Sequence, residues 1–185
     1  DPTVEDKLGA ALPTRRPYDS AVAPGFIAAG DAAGHVNPTT GGGIPGAAKA
    51  GTWAAEVAVE AIADGTVNEE ALWAYNRRVL TDFGKRFAAM DLYNVFGTAH
   101  DVDELAAVVA AMPGQQLVDA VGKRGTADMS LRLKIETMLK TWGHWGLLYE
   151  LYRVHRKAEQ LKAVYDDYPT TPDGFGDWRT RRDAI

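Results

Sequence analysis

The sequence predicts a mostly helical chain with a short β segment near its amino terminus, an α+β fold. Two observations carry this prediction. Up to residue 25 the chain is punctuated by Pro13, Pro17 and Pro24, which favour loops and short strands over helix. From Ile44 onward, small and apolar residues recur at helical spacing between clear start and stop signals.

The composition is that of an ordinary globular protein. The chain has 185 residues, of which 46% are hydrophobic and 24% charged, enough for a core without covalent staples. It has no cysteine, which excludes a disulfide framework, a thiolate zinc site and a cysteine nucleophile. Its 20 basic and 25 acidic residues give a net charge of −5, so we predict no nucleic-acid partner.

The first elements are a strand, a loop and a helix. The short apolar run from Phe26 to Gly30 predicts a buried strand of about five residues. A turn-rich loop follows over 31–43. An alanine-rich helix then begins near Ile44, and Asp64-Gly65 forms its stop signal.

The rest of the chain reads as helices and a tail. Asn68 is a good N-cap for a helix that runs to about Phe96, with Gly84 as a weak point. The tail from Tyr168 is predicted to be irregular and exposed. Further helices are predicted near 101–111, 115–121, 130–141 and 144–165.

One segment, Gly30–Ile44, carries the chemistry of a ligand site. Asp31 follows the predicted strand directly, and a carboxylate there points into the crevice where α/β proteins bind ligands. Carboxylate oxygens only accept hydrogen bonds, so they suit the hydroxyl groups of a sugar or polyol. Gly41, Gly42 and Gly43 let the backbone approach a flat or charged ligand. They open into a helix whose free N–H groups favour negative charge.

The same glycines form a literal G-x-G-x-x-G pattern at Gly41, Gly43 and Gly46. In a dinucleotide-binding fingerprint such glycines follow the strand immediately. Here a long loop containing Pro38 intervenes, so we reject that interpretation. A P-loop is excluded as well, because the chain has no Gly-Lys-Ser/Thr sequence.

The ordered set of features resembles the second FAD-binding motif of flavoproteins with the para-hydroxybenzoate-hydroxylase-like fold. The set comprises a strand, the Gly-Asp-Ala-Ala sequence at 30–33, Pro38 and the glycine cluster before a small-residue helix. Within that group the segment 31–44, with Asn-Pro-Thr-Thr-Gly at its centre, is most similar to the geranylgeranyl reductases. These include the archaeal digeranylgeranylglycerophospholipid reductases. The resemblance covers about residues 26–60.

The resemblance implies a site for the flavin and ribityl end of FAD. Asp31 would bind a ribityl hydroxyl, and Pro38 would lie beside the isoalloxazine ring. Backbone N–H groups of Gly42, Gly43 and Ile44 would face the pyrimidine edge, which gains negative charge on reduction. The implied cofactor-binding set is Gly30, Asp31, Ala32, Pro38, Gly41, Gly42, Gly43 and Ile44.

The implied reaction is the saturation of isoprenoid C=C bonds with hydride from the flavin. The sequence does not identify the proton donor or any other catalytic residue. The resemblance implies an isoprenoid lipid substrate and an electron donor such as NAD(P)H or ferredoxin. It also implies a cytoplasmic location, with peripheral contact to the inner face of the membrane.

The resemblance further implies that this chain is the carboxy-terminal part of a longer enzyme. The chain begins with Asp1 instead of methionine, and the glycine fingerprint that binds the ADP half of FAD is absent. We therefore expect residues 1–64 to be the end of an FAD-binding domain and residues 65–185 to be a helical region. Alone, this part is expected to bind FAD poorly and to be inactive.

Aromatic residues and His35 are weaker candidates for substrate contact. His35 lies in the motif loop and is either structural or in contact with flavin or substrate. Trp142, Trp145, Tyr149 and Tyr152 form a stripe that we interpret as packing, with a lipid-facing or substrate-lining surface as the alternative. No two of the four histidines have the i, i+4 spacing of a helical metal site, so no metal is predicted.

Two other classes of function stay open. One is another flavoprotein of the same fold, an aromatic hydroxylase or a quinone-linked electron-transfer enzyme. The other is a non-enzymatic helical module that binds a partner or a membrane.

Overall fold

The structure, a computed structural model, describes residues 9, 11–111 and 145–185. In these residues it is mostly helical with one two-stranded antiparallel sheet, so the predicted mostly helical chain with a short β segment is confirmed. The helices predicted near 115–121 and 130–141 lie outside the described residues. Two compact units form, one from Asp1–Leu92 with Lys157–Ile185 and the other from Tyr93–Arg156.

The sheet is a small hairpin of β1 (Val22–Ala23) and β2 (Phe26–Ile27). The predicted buried strand over 26–30 is therefore wrong in length and in burial, because β2 has two residues and Phe26 is 58% exposed. The chain leaves the extended conformation at Gly30, whose φ of 68° lies in the left-handed region.

Helix α1 (Ile44–Ala63) and helix α2 (Glu69–Val79) pack against each other in the first unit. Small buried residues such as Ala50 and Ala61 on α1 permit a close approach. The predicted stop of α1 is confirmed, since Asp64 caps it and Gly65 follows with a φ of 68°.

The predicted start of α2 and its continuation are confirmed. The Asn68 side chain accepts a hydrogen bond from the Ala71 N–H at 2.9 Å. Helix α2 runs through a π-helical turn (Leu80–Gly84) into α3 (Lys85–Thr98). The turn ends at Gly84, the position at which the sequence predicts a weak point in the helix. A Cβ at Gly84 would lie 3.1 Å from the Val79 carbonyl oxygen.

The predicted irregular tail is wrong. A 3₁₀ turn (Pro172–Gly174) leads into helix α6 (Phe175–Asp183), and Trp178 is fully buried. The Trp178 ring packs edge-on against Tyr168 at 4.8 Å, and its indole N–H donates to the Val164 carbonyl at 2.8 Å. Aromatic packing orders this segment despite its prolines and glycines.

One hydrophobic core holds the first unit together. Helix α5 (Trp145–Asp166) contributes its carboxyl-terminal part to that core. The buried members are Val22, Ala50, Val57, Ala61, Leu72, Trp73, Tyr75, Val79, Leu80, Phe83, Ala88, Leu161, Tyr165, Tyr168 and Trp178.

The second unit contains the end of α3, helix α4 (Val102–Ala111) and the first turns of α5. Two histidines make side-chain bonds in it. The Tyr93 hydroxyl lies 2.9 Å from His155 Nδ1, and His100 Nε2 lies 3.0 Å from a carboxylate oxygen of Glu150.

The predicted packing of the aromatic stripe is wrong for its described members. Trp145, Tyr149 and Tyr152 are 44%, 63% and 54% exposed. At about 100° per residue, these positions share one side of α5 while buried Leu147 lies on the opposite side. Trp142 lies outside the described residues. No helix in the described part of the chain is long and apolar enough to cross a membrane.

Candidate functional site

A tight 3₁₀ turn, Gly30–Ala33, follows the hairpin and positions Asp31. Gly30 and Gly34 bracket it with φ angles of 68° and 69°, in the left-handed region that favours glycine. The Gly34 N–H closes the turn by donating to the Asp31 carbonyl at 3.0 Å. A Cβ at Gly34 would lie only 3.3 Å from the Pro17 Cα, so the turn is packed closely on the preceding segment. Asp31 lies on the solvent-exposed side of the turn.

His35 fastens this turn from the inside. Its ring Nδ1 accepts a hydrogen bond from the backbone N–H of Gly30 at 3.1 Å. The backbone N–H of His35 donates to the Gly30 carbonyl at 3.0 Å. The side chain is buried, with its ring edge-on to Phe83 at 5.2 Å. Burial lowers the pKa of His35 from 6.5 to about 4, although the nearby Asp31 carboxylate opposes that shift. The imidazole is therefore neutral at neutral pH, and its acceptor role places the proton on Nε2.

Asn37 organises the loop between the turn and α1. Its side-chain oxygen accepts from the N–H groups of Thr39 and Thr40 at 2.9 and 3.2 Å. Its main chain pairs with Gly41 and Gly42, the N–H of Gly41 donating to the Asn37 carbonyl at 2.9 Å. The result is an Asx turn of fixed shape.

The glycines at the start of α1 make room for the turn. The first helical hydrogen bond runs from the Ala47 N–H to the Gly43 carbonyl, so the N–H groups before it have no helical partner. A Cβ on Gly43 would lie 2.8 Å from Asp31 Oδ1, and one on Gly46 would lie 2.9 Å from the His35 carbonyl oxygen. Gly43 therefore leaves room for the Asp31 carboxylate beside the start of α1, and Gly46 lets the helix pass the His35 carbonyl.

The surface around Asp31 offers hydrogen-bond acceptors and donors side by side. Within the described residues, the Asp31 carboxylate has no hydrogen-bond or ion-pair partner. Beside it lies the helix start, where the Gly43 and Ile44 N–H groups precede the first helical bond and the helix dipole is positive. The Gly42 N–H, also predicted to face the ligand, donates to the Thr40 hydroxyl at 3.3 Å instead. Ile44 adds an apolar contact surface, since it is 85% exposed. The arrangement can accept hydrogen bonds from hydroxyl groups and donate them to a partly negative edge of a flat ligand.

The structure places the predicted site residues as follows. Asp31 and Gly43 meet at the start of α1, and Ala32 is exposed beside them. Pro38 is buried, so it shapes the loop from within. Trp145 belongs to the second unit.

Sequence reasoning assigned no role in the site to three residues on which it depends. They are Gly34, with its left-handed φ, Asn37, which bonds the loop, and Gly46, which passes the His35 carbonyl. The Asn-Pro pair was a readable signal for an Asx turn. The two glycines carry no local signal, because their requirement arises from contacts distant in sequence.

In comparison with known proteins, the chain is similar to several relatives that carry one name, that of a lipid reductase. A protein of Sulfolobus acidocaldarius is 28% identical over 181 residues, which are 97% of this chain and 40% of the relative. One from Methanothrix thermoacetophila is 33% identical over 123 residues, which are 66% of this chain and 31% of the relative. Both carry the name digeranylgeranylglycerophospholipid reductase.

A third relative, digeranylgeranylglycerophospholipid reductase 1 of Methanococcoides burtonii, is 40% identical over 86 residues. That match covers 46% of this chain and 21% of the relative. The resemblance to geranylgeranyl reductases is thus confirmed. The chain spans 40% or less of the length of each of these relatives. No protein-family profile matches it.

Proposed function

We propose that this chain holds the flavin end of FAD in a longer reductase, of which it is the carboxy-terminal part. That reductase, called the full-length protein below, saturates C=C bonds of geranylgeranyl chains in lipids or lipid precursors. The observation that carries the proposal is the unpartnered Asp31 carboxylate facing the glycine-lined start of α1. Similarity to the reductases named above supports the substrate class.

The residues present fit the cofactor. Asp31 offers acceptors for a ribityl hydroxyl, and the absence of side chains at Gly42 and Gly43 leaves the backbone open to a flat ring. N–H groups of Gly43 and Ile44, ahead of the first helical bond, suit the pyrimidine edge. Buried Pro38 supports the loop that carries these groups. A para-hydroxybenzoate-hydroxylase-like fold would bring its ADP-binding half from residues outside this chain.

Each of these groups has a separate task. When bound, FAD supplies the hydride for the double bond. Asp31 would hold the ribityl chain by accepting a hydrogen bond from one of its hydroxyl groups. The start of α1 stabilises the negative charge that reduction brings to the pyrimidine edge, because the helix dipole is positive there.

The two parts of the chain have different proposed roles. Residues 1–64 form the end of the FAD-binding domain, and residues 65–185 form a helical region. Because this chain contacts one end of the cofactor only, we expect weak FAD binding and no turnover from the chain by itself. An electron donor such as NAD(P)H or ferredoxin completes the reaction in the cytoplasm.

Product analysis of the full-length protein tests the reaction class. The purified protein is incubated either with a chemical reductant and a geranylgeranyl lipid without oxygen, or with NAD(P)H, O₂ and an aromatic acid. We expect the lipid to gain two hydrogens per double bond, read by mass spectrometry, and the aromatic acid to stay unchanged. Hydroxylation of the aromatic acid, with no change in the lipid, would favour an aromatic hydroxylase instead.

A second property, peripheral contact with a lipid surface, is favoured by the exposed aromatic side of α5. Trp145, Tyr149 and Tyr152 share that side, with Arg153 and Arg156 exposed beside them. Aromatic rings with one polar edge and arginine side chains suit an interface with anionic headgroups. We expect the full-length protein to bind anionic liposomes and Trp145→Ala to weaken that binding. Equal binding of neutral and anionic liposomes would contradict the role of the arginines.

A further inference from the structure

We infer that His35 is a positioning residue for the flavin site, because its imidazole holds the turn that aims Asp31 at the start of α1. This inference rests on the proposed function and deepens it. His35 touches no ligand in this account, since its side chain is only 1% exposed. Its effect passes through the backbone of Gly30.

Two hydrogen bonds join His35 to Gly30 and enclose the residues between them. In the side-chain bond, the Gly30 N–H donates to His35 Nδ1 at 3.1 Å. In the backbone bond, the main-chain N–H of His35 donates to the Gly30 carbonyl at 3.0 Å. Gly30 has a left-handed φ and directly precedes Asp31. The direction in which the Asp31 side chain leaves the backbone therefore depends on the conformation that His35 stabilises.

The imidazole is itself held from two other elements. Phe83, in the π-helical turn, packs edge-on against it at 5.2 Å, and the ring of Tyr75 on α2 lies 6.5 Å away. On the other side, the His35 carbonyl lies where a side chain at Gly46 would be. One residue thus links the Asp31 turn, the start of α1 and the helix behind them.

The hydrogen-bonding role of the ring demands an unprotonated Nδ1. Burial, which lowers the pKa of His35 to about 4, keeps the imidazole in the neutral form that can accept a bond from Gly30. An asparagine side chain places its oxygen where Nδ1 stands and can accept the same bond, whereas a phenylalanine side chain fills the space without an acceptor.

These two substitutions test the inference in the full-length protein by FAD titration. We expect His35→Phe to weaken FAD binding about tenfold or more, as loss of one buried hydrogen bond implies, and His35→Asn to stay within about threefold of wild type. Tyr168→Phe is the matched control. It removes a hydrogen bond from a buried tyrosine hydroxyl to the Asp19 carbonyl and contacts neither His35 nor Gly30. It should lower the melting temperature of the flavin-free protein and leave FAD affinity unchanged.

The outcomes separate this inference from the proposed function. If Asp31→Ala leaves FAD binding intact, the proposed function fails. If Asp31→Ala weakens binding but His35→Phe does not, or if His35→Asn weakens it as much as His35→Phe, only the role of His35 is overturned.

Nitrogen NMR of the wild-type imidazole supplies a measurement that does not depend on a variant that folds. We expect His35 at neutral pH to carry its proton on Nε2, with Nδ1 unprotonated. The opposite tautomer, or a doubly protonated ring, would overturn the inference.

Discussion

Gly43 shows how a missing side chain can determine a site. A Cβ there would lie 2.8 Å from Asp31 Oδ1, closer than a Cβ carbon approaches another heavy atom, and the carboxylate would have to move away. Because that carboxylate is exposed, its displacement costs the fold little. The cost falls on whatever the carboxylate binds.

We therefore predict that Gly43→Ala lowers the FAD affinity of the full-length protein by about tenfold, about the value of one charge-assisted hydrogen bond. The melting temperature of the flavin-free protein should change little. Gly51→Ala is the control, since Gly51 lies on α1 with nothing within 4 Å of an added Cβ. It should stabilise the helix by up to about 1 kcal/mol and leave affinity unchanged. Equal affinity of both variants would contradict this role for Gly43.

The lowered pKa of His35 predicts that the folded chain loses stability at acid pH. Its pKa is lowered from 6.5 to about 4, so the unfolded chain takes up a proton there before the folded chain does. The contribution of this neutral group to stability is complete above pH 6.5. It is lost as pH falls toward 4, to a total of at most about 3 kcal/mol.

Urea unfolding of the chain at several pH values measures this effect as a difference between wild type and His35→Asn. Other groups titrate in both proteins and cancel in that comparison. The wild type should lose more stability between pH 6.5 and pH 4 than the variant does. Parallel curves would show that His35 titrates normally.

Among the elements, α2 begins where the sequence predicts because its start signal is local. Asn68 accepts from the Ala71 N–H at 2.9 Å, and Glu69 and Glu70 stand in the first turn. We predict that Asn68→Ala lowers the free energy of unfolding by about 1 kcal/mol, because a helix N–H loses its cap. Asn68→Asp, which keeps an acceptor, should stay within a few tenths of that of wild type. Denaturant unfolding by circular dichroism reads both, and an equal loss in the two variants would rule out the cap.

Local signals of this kind account for what the sequence predicted correctly. The stop at Gly65 and the glycine cluster before α1 depend on residues close in the chain. The strand over 26–30 and the tail were wrong because their outcome depends on distant partners. The tail is helical because Trp178 packs on Tyr168 and bonds Val164.

The same division holds inside the site. The Gly-Asp-Ala-Ala motif and the three glycines were readable, since their spacing alone carries the resemblance. The need for Gly34 and Gly46 was not readable. Both glycines are required by contacts with residues elsewhere in the chain. A Cβ at Gly34 would lie 3.3 Å from the Pro17 Cα, and one at Gly46 would lie 2.9 Å from the His35 carbonyl oxygen.

Across the first unit, an ion-pair cluster fastens α6 to the amino-terminal segment. Buried Arg182 donates to the Asp19 carboxylate and also to Asp183. Arg16 donates to the same carboxylate of Asp19 at 2.6 Å. Removal of the shared carboxylate would leave a buried guanidinium without its main partner.

We predict that Asp19→Ala destabilises the chain by about 3 kcal/mol, the scale on which breaking one partner of a buried pair acts. Asp167→Ala is the control because Asp167 is exposed, although it receives a bond of 2.6 Å from Arg181. That exposed pair should contribute less than about 1 kcal/mol. Equal effects of the two variants on urea unfolding would mean that the Asp19 cluster does not hold α6.

At the scale of the whole protein, the central claim is that Asp31 and the start of α1 hold the flavin end of FAD. The most direct test is the flavin content of the purified full-length protein, read by its visible absorption, for wild type, Asp31→Ala and the exposed control Asp64→Ala. We expect the wild type and the control to be yellow and the Asp31→Ala protein to have lost most of its flavin. A colourless wild type, or an Asp31→Ala protein that keeps its full flavin content, would contradict this claim.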